Sequence, residues 1–517
     1  MKRVLSFLAV LLLCVCSGNA ATWTTNGSWA ALNYISTNCS PGDTINVTPG
    51  TNIWTQHIGF YDVQLVFSGT NTSEVIDETP ITGIGDSLLE FTTGPQFWRI
   101  SGCTFHVGVT NNYNTVSVQV GNASAAVRGN INIYGTNVGR VDDNVFYQLT
   151  GKPIHFTSLN YSVVDHDSIQ MYGNANAMEC EGGNSADNGQ GDFSWSIPGT
   201  WGTSNALYIE DCYIYSAFQF ASIDYFEGAR VVIRNCHFAN GTFPFCHGFD
   251  SGQRYDGGFS MECYSNLFDY GGSIGYNEFA MTIHSGSALI HDNTISNYQY
   301  VASISNDRSV ANLSAWTPWY GATGLMGCDS NSPTLLSGTV VTATNSNTLI
   351  VGGATWATNQ WLGAEVYNLT KQLNGCVAFN DASNMTFSTA YGFPSYQMSF
   401  SNGDQYVVHF VVPIGQPGRG YGSLLVGPAP TNSWSGEVLS PIYAWNNNIS
   451  FAGGALAPAY ISSQCSTIQL GRDITNAALA SYTPFIYPNP LTGLMNSGGG
   501  GSTNGPTLYQ MNWQFLH

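Results

Sequence analysis

The chain has 517 residues, 43% of them hydrophobic, 13% aromatic and only 9% charged. Lys and Arg number 13 against 32 Asp and Glu, for a formal charge of −19. A nucleic-acid partner needs a basic surface and is excluded; a bare polygalacturonate would be repelled unless a cation bridged it.

At the start, Lys2 and Arg3 precede an apolar run from Val4 to Val15, and Ser17-Gly18-Asn19-Ala20 offers small residues for cleavage. This predicts a bacterial-type signal peptide over residues 1–20, too short to span a bilayer, and a secreted or extracellular mature chain. Bulky Val15 before Cys16 argues against a lipid anchor, and no later segment reads as transmembrane. Losing Cys14 and Cys16 leaves ten of the 12 cysteines in an oxidising compartment, where disulfides are permitted. No CxxC pair appears, which argues against a zinc ribbon.

Residues 21–59 read as an N-terminal cap. Ser28 is an N-cap for a short helix over Trp29–Ile35, and PGDTINVTPGT (Pro41–Thr51) reads as turn, strand and turn. A helix there would protect a bare strand edge.

From residue 60 to 331 one pattern recurs: apolar, two others, Asn/Cys/Asp, any residue, apolar. It reads Ile100/Cys103/Phe105, Val141/Asn144/Phe146, Val164/Asp167/Ile169, Ile209/Cys212/Ile214, Ile233/Cys236/Phe238, Cys263/Asn266/Phe268, Ile290/Asn293/Ile295 and, further on, Ala444/Asn447/Ile449. Each central residue follows Gly, Asp, His, Asn or Ser, which are turn formers. Steps of 23, 24, 30 and 27 residues separate Asn144 from Asp167 and successive members from Cys212 to Asn293. Three short strands and three turns need about that much chain. The pattern predicts an all-β, right-handed parallel β-helix, with apolar positions stacked into one column at about 4.8 Å per strand. The central residues would form a polar ladder. Cys212 and Cys236 would then lie about 5 Å apart, near enough for a disulfide whether or not one forms.

The 154 residues between Asn293 and Asn447 break the rhythm. Alternating segments from 332 to 409 predict an inserted β subdomain, with the remaining coils over 410–497. Gly498–Ser502 is a flexible linker, and residues 498–517 end in an unassigned tail.

The helix, PGDTI with its following PGT, and the Asn ladder together resemble the pectate-lyase-like β-helix superfamily. More narrowly, GARVVIRNCHF (228–238), HGFDSGQR (247–254), GQPGRG (415–420) and YTPFIYPNPL (482–491) are similar to secreted bacterial β-helix proteins of unestablished activity. Hydrolases of the superfamily use paired carboxylates, and its lyases use a basic residue, often with calcium. Its polygalacturonase-type motif set is absent here, so the resemblance assigns no catalytic residue.

Position within the repeat points to candidates. Asp224 lies 12 residues past Cys212, His247 lies 11 past Cys236, Glu278 lies 12 past Asn266, and Glu179 lies 12 past Asp167. Asp250, Glu227 and Asp307 follow at offsets of 14 or 15, and Arg254 is near Asp250. One reading is a lateral groove in which Asp224, His247, Asp250, Glu278 and Arg254 carry catalysis, and Tyr225, Phe226, Glu227 and Phe249 bind substrate. Carboxylates one or two coils apart would straddle the spacings of retaining and inverting glycosidases. The other reading is a solvated face of exposed charge or a structural cation site. His166, between Asp165 and Asp167, reads as a turn residue, with a base or a metal ligand as the alternatives. No metal centre or cofactor is implied beyond a structural or bridging calcium. The expected partner is a polysaccharide or cell-surface glycan, either bound alone or bound and cleaved in hydrolase or lyase fashion; the alternative is a non-catalytic adhesive protein.

Overall fold

The computed structural model describes residues 20–78, 87–94, 96–107, 116–120, 138–148, 152–156, 161–172, 176–182, 199–217, 221–226, 228–247, 257–271, 279–304, 334–342, 348–361, 365–387, 398–409, 417–418, 420, 439–450, 460–461, 470–471 and 473–496. The predicted signal peptide and C-terminal tail lie outside these residues.

The protein is all-β, and its dominant feature is three large parallel sheets of twelve, ten and ten strands. The chain visits them in rotation. Thr44–Val47 belongs to the first sheet, Gly50–Trp54 to the second and Ile58–Tyr61 to the third, before Gln64–Phe67 returns to the first. Along the uninterrupted rotation a strand therefore pairs with the one three places later, in parallel register. We call one visit to all three sheets a circuit. The predicted helix forms at Trp29–Ser36, with the Ser28 hydroxyl accepting the Ala31 N–H and Leu32 and Ile35 buried.

The predicted interior column is present. Ile100, Val141, Val164, Ile209, Ile233, Cys263, Ile290 and Ala444 stand in direct register in the first sheet, all within one buried cluster. A matching column in the second sheet runs Phe105, Phe146, Ile169, Ile214, Phe238, Phe268 and Ile295. Its rings stack, with centroids 5.1 Å apart for Phe105–Phe146 and 4.7 Å for Phe238–Phe268.

The turn between these sheets explains the residue choice at both of its positions. Gly102, Asp143, His166, Asp211, Asn235, Ser265, Asp292 and Asn446 all take positive φ between 52° and 77°, a region that Gly, Asn and Asp enter most easily. His166 is thus a turn residue. Where the next residue is Asn, its side chain donates to the carbonyl of the column residue one circuit back. Asn144 Nδ2 donates to Ile100 O, Asn266 Nδ2 to Ile233 O, Asn293 Nδ2 to Cys263 O and Asn447 Nδ2 to Ile290 O, at 2.9–3.3 Å. Side-chain carbonyls receive the neighbouring amides, as in Asn266 Nδ2 to Asn293 Oδ1 at 3.0 Å.

The same ladder decides whether Cys212 and Cys236 are bonded. Cys39, Cys103, Cys180, Cys212, Cys236, Cys246 and Cys263 are all free thiols. Those of Cys212 and Cys236 do the work of the Asn amide: Cys212 Sγ donates to Val164 O at 3.7 Å and Cys236 Sγ to Ile209 O at 3.5 Å. Parallel side chains in register lie beside one another, each turned towards a carbonyl.

On its outer side the first sheet carries buried charge. Asp142, Asp165, Glu210 and Arg234 succeed one another in register. Arg140 donates to both Asp165 oxygens at 2.6–2.7 Å, and Arg234 Nε donates to Glu210 Oε2 at 2.7 Å. The segment Tyr482–Thr492 covers this face. Phe485 and Ile486 carbonyls accept from Arg234, the Thr492 carbonyl accepts from Arg140, the Asn489 amide donates to Glu210, and Tyr482 OH donates to Glu262. Phe485 and Leu491 pack on Val163, Tyr208 and Val232.

Strands Ser287–His291 and Ile442–Trp445 pair directly, so the chain between them leaves the rotation. Within it, Thr334–His409 contributes a six-stranded sheet of antiparallel pairs with a separate buried cluster that includes Leu349, Val366, Val377 and Phe400.

Candidate active site

In the third sheet, strands Lys152–Phe156, Met178–Glu181, Ala221–Phe226 and Phe243–Cys246 lie side by side. Ile154, Met178, Cys180, Ile223, Tyr225 and Cys246 belong to the interior cluster. Alternation along a strand therefore sends His155, Glu179, Glu181, Asp224, Phe226 and Phe245 to the outer side.

Glu179 and Asp224 are partners in register on adjacent strands, which separates their backbones by about 4.8 Å. Two acids this close would repel, and bases flank both. His247 Nδ1 shares a 2.6 Å hydrogen bond with Asp224 Oδ1, and Asn176 Nδ2 donates to Asp224 Oδ2 at 3.1 Å. Lys152 Nζ pairs with Glu179 Oε2, while His155 Nε2 is 3.2 Å from Glu181 Oε1 and 3.9 Å from Glu179 Oε2. The rings of Phe226 and Phe245 pack edge-on against His247 at 6.0 and 4.6 Å and hold its plane.

Glu179 and Asp224 are only 2–3% exposed, so the expectation of exposed carboxylates is corrected. Part-exposed Lys152, Glu181 and His247 form the rim above them. The site has no reactive thiol behind it: burial raises the Cys180 thiol and pushes Cys246 up to about 12. No group of three or more metal-ligating side chains occurs among the described residues.

Of the residues proposed from sequence, Asp224 and His247 are brought together. Tyr225 is corrected: it is fully buried in the interior cluster and cannot stack on a sugar. Asp224 and Tyr225 are consecutive in one strand, so they face opposite ways. Phe226 shares the outer side but is 2% exposed, packed against His247 rather than open to ligand. Asp250, Arg254, Glu278, Glu227 and Phe249 lie outside the described residues.

Lys152, His155, Asn176 and Glu181 were not anticipated. His155 follows Asn144 by 11 residues, the same offset as His247 from Cys236, so the repeat held a signal for it. Asn176 and Lys152 carry no such mark.

No family model matches the chain, and no curated protein matches it. Among solved structures, ORF18 of Geobacillus virus E2 aligns over 51% of this chain at 10% identity, with a TM-score of 0.23. The aligned region spans 49% of that protein.

Proposed function

We propose that this is a secreted glycan-directed protein and that Glu179 and Asp224 cleave a neutral polysaccharide by glycoside hydrolysis. The observation that carries this reading is the in-register acid pair on an outer face, with His247 and Asn176 fixing both oxygens of Asp224. Glycosidases that retain configuration hold two carboxyl groups about 5–5.5 Å apart, one attacking the anomeric carbon and one protonating the leaving oxygen. One strand spacing, about 4.8 Å between backbones, is close to that separation. His247 is a positioning residue here, orienting Asp224. With the rotation of three parallel sheets and the ladder, we read the fold as a right-handed β-helix of the pectate-lyase-like kind, with residues 332–409 an inserted β subdomain and residues 1–20 an export signal. Among the described residues no helix is long and apolar enough to cross a membrane.

A polysaccharide panel tests this directly. Neutral xylans, glucans and mannans should release reducing ends, whereas pectins should give no unsaturated-uronate absorbance. Asp224→Asn and Glu179→Gln should each lower turnover at least about a hundredfold. Azide should restore turnover to a Gly variant at whichever acid is the nucleophile. A second reading, a non-catalytic adhesive β-helix protein, is favoured by the low exposure of both acids and the bases beside them. It predicts glycan binding without new reducing ends.

A further inference from the structure

The second sheet presents a different outer face. Alternation with the Phe105-to-Phe268 interior column places His106, Tyr147, Tyr213, Tyr215 and His237 outside, and Tyr172 follows the strand Ser168–Met171 on the same side. All six are part-exposed or exposed, Tyr172 by 43%. They come in neighbouring pairs: His106–Tyr147 stacked with centroids 4.9 Å apart, Tyr172–Tyr215 at 6.0 Å and Tyr213–His237 at 5.3 Å. No segment of the described chain covers this stripe as Tyr482–Thr492 covers the first sheet.

At its N-terminal end the stripe runs into a cleft of about 310 Å³, within the size range of small-ligand sites. Thr51, Asn71 and Thr72 line one side, and His106 and Tyr147 line the other. Between them Glu74 accepts from Thr51 Oγ1 at 2.8 Å, and its other oxygen lies 2.8 Å from His106 Nε2.

We propose that this face is a binding surface for a neutral polysaccharide, with the Glu74/His106/Tyr147 cleft as a sugar subsite. Hydroxyls, an amide and an oriented carboxylate match a hydroxyl-rich ligand, and flat ring faces match the C–H faces of a sugar. Both oxygens of Glu74 already have partners, Thr51 Oγ1 and His106 Nε2, so the carboxylate is held in one orientation within the cleft. Rings recur over several circuits, at about 4.8 Å per strand, so the ligand is a polymer. A peptide added as an extra strand is disfavoured, because these strands are already paired on both sides. The inference rests on the glycan-directed reading but does not require the Glu179/Asp224 pair to cleave.

Affinity electrophoresis and titration calorimetry of the full chain with xylan, glucomannan and mixed-linkage glucan test it. At least one should bind. Tyr147→Ala combined with Tyr215→Ala should weaken that binding at least about tenfold. So should Asn71→Arg, which fills the cleft from an exposed position and leaves the rings intact. Val341→Ser, at an exposed position outside this stripe, should leave binding unchanged. The proposal is overturned if no glycan binds the unaltered chain, or if both variants, melting like the parent, bind as tightly as it does. Binding that survives both variants but is lost in Asp224→Asn would also overturn it, while leaving the third-sheet site standing.

Discussion

The outer faces of the first and third sheets are built from the same material and end up in different states. Each stacks acids in register on adjacent strands and sets bases beside them. On the first sheet the charges are closed over: Arg234 is wholly buried and, beyond Glu210, donates to Tyr264 OH and to the Phe485 and Ile486 carbonyls, while Arg140 donates to the Thr492 carbonyl. On the third sheet the acids are nearly as buried, yet their partners Lys152 and His247, with Glu181 of the same strand as Glu179, form a part-exposed rim. Charge that is fully paired and covered holds the C-terminal segment in place. Charge whose partners reach solvent is available to a ligand.

The covered face should be the more costly to disturb. Arg234→Met leaves Glu210 without its cation and strands the Phe485 and Ile486 carbonyls. Breaking a buried pair from one side costs about 3–5 kcal/mol, so urea denaturation should show a loss of that size. Proteolysis should also release the segment around residues 482–492. A loss below about 1 kcal/mol would mean that this face is solvated after all.

The polar ladder between the first two sheets comes next. Asn266→Ala removes the acceptor for Cys236 N and one donor to the Ile233 carbonyl, an expected loss of about 2 kcal/mol. Its denaturation midpoint should therefore fall less than that of Arg234→Met.

Much of this was legible from sequence, for a physical reason. The interior column and the ladder repeat once per circuit, and each needs a restricted residue type, so the pattern survives in the letters. The left-handed turn adds a second restricted position beside it. The outer faces carry no such constraint. Nothing local marks Glu179 and Asp224 as buried, because their burial depends on contacts far away in sequence. The role of YTPFIYPNPL as a cover for the first sheet is likewise a contact across more than 250 residues. Tyr225 was misplaced because counting from the ladder fixes a distance along the circuit but ignores the two-residue alternation within a strand.

Asp167 separates the effect of burial from that of pairing. It occupies a ladder position held elsewhere by Asn or Cys, and its Oδ2 is buried without a hydrogen bond. Burial drives its carboxyl well above the usual range, with neighbouring Asp142, Asp165 and Asp143 adding to the rise and the Asn144 amide opposing it. A carboxyl raised in the folded state stabilises while protonated, and loses that contribution as pH climbs past its unfolded value. Asp167→Asn should therefore stabilise the protein by about 1 kcal/mol near neutral pH, and by less in acid. Thermal melts across pH 4–8 check this.

The smallest effect lies at the edge of the covered face. Hydrogen bonding to Asp165 raises His166 from about 6.5 to about 8, against the opposing pull of burial. Its contribution is complete below pH 6.5 and disappears as pH rises through 8. His166→Asn keeps a residue suited to the left-handed turn and should flatten the fall in stability between pH 6.5 and 8. An unchanged slope would locate that titration elsewhere.

The contrast between the two faces is tested most directly by Glu179→Gln, assayed side by side for turnover on the best neutral polysaccharide and for urea stability. The expected result is a loss of at least about a hundredfold in turnover with a stability loss well below that of Arg234→Met. Full turnover, or a stability loss equal to that of Arg234→Met, would make the third-sheet acids structural like those of the first.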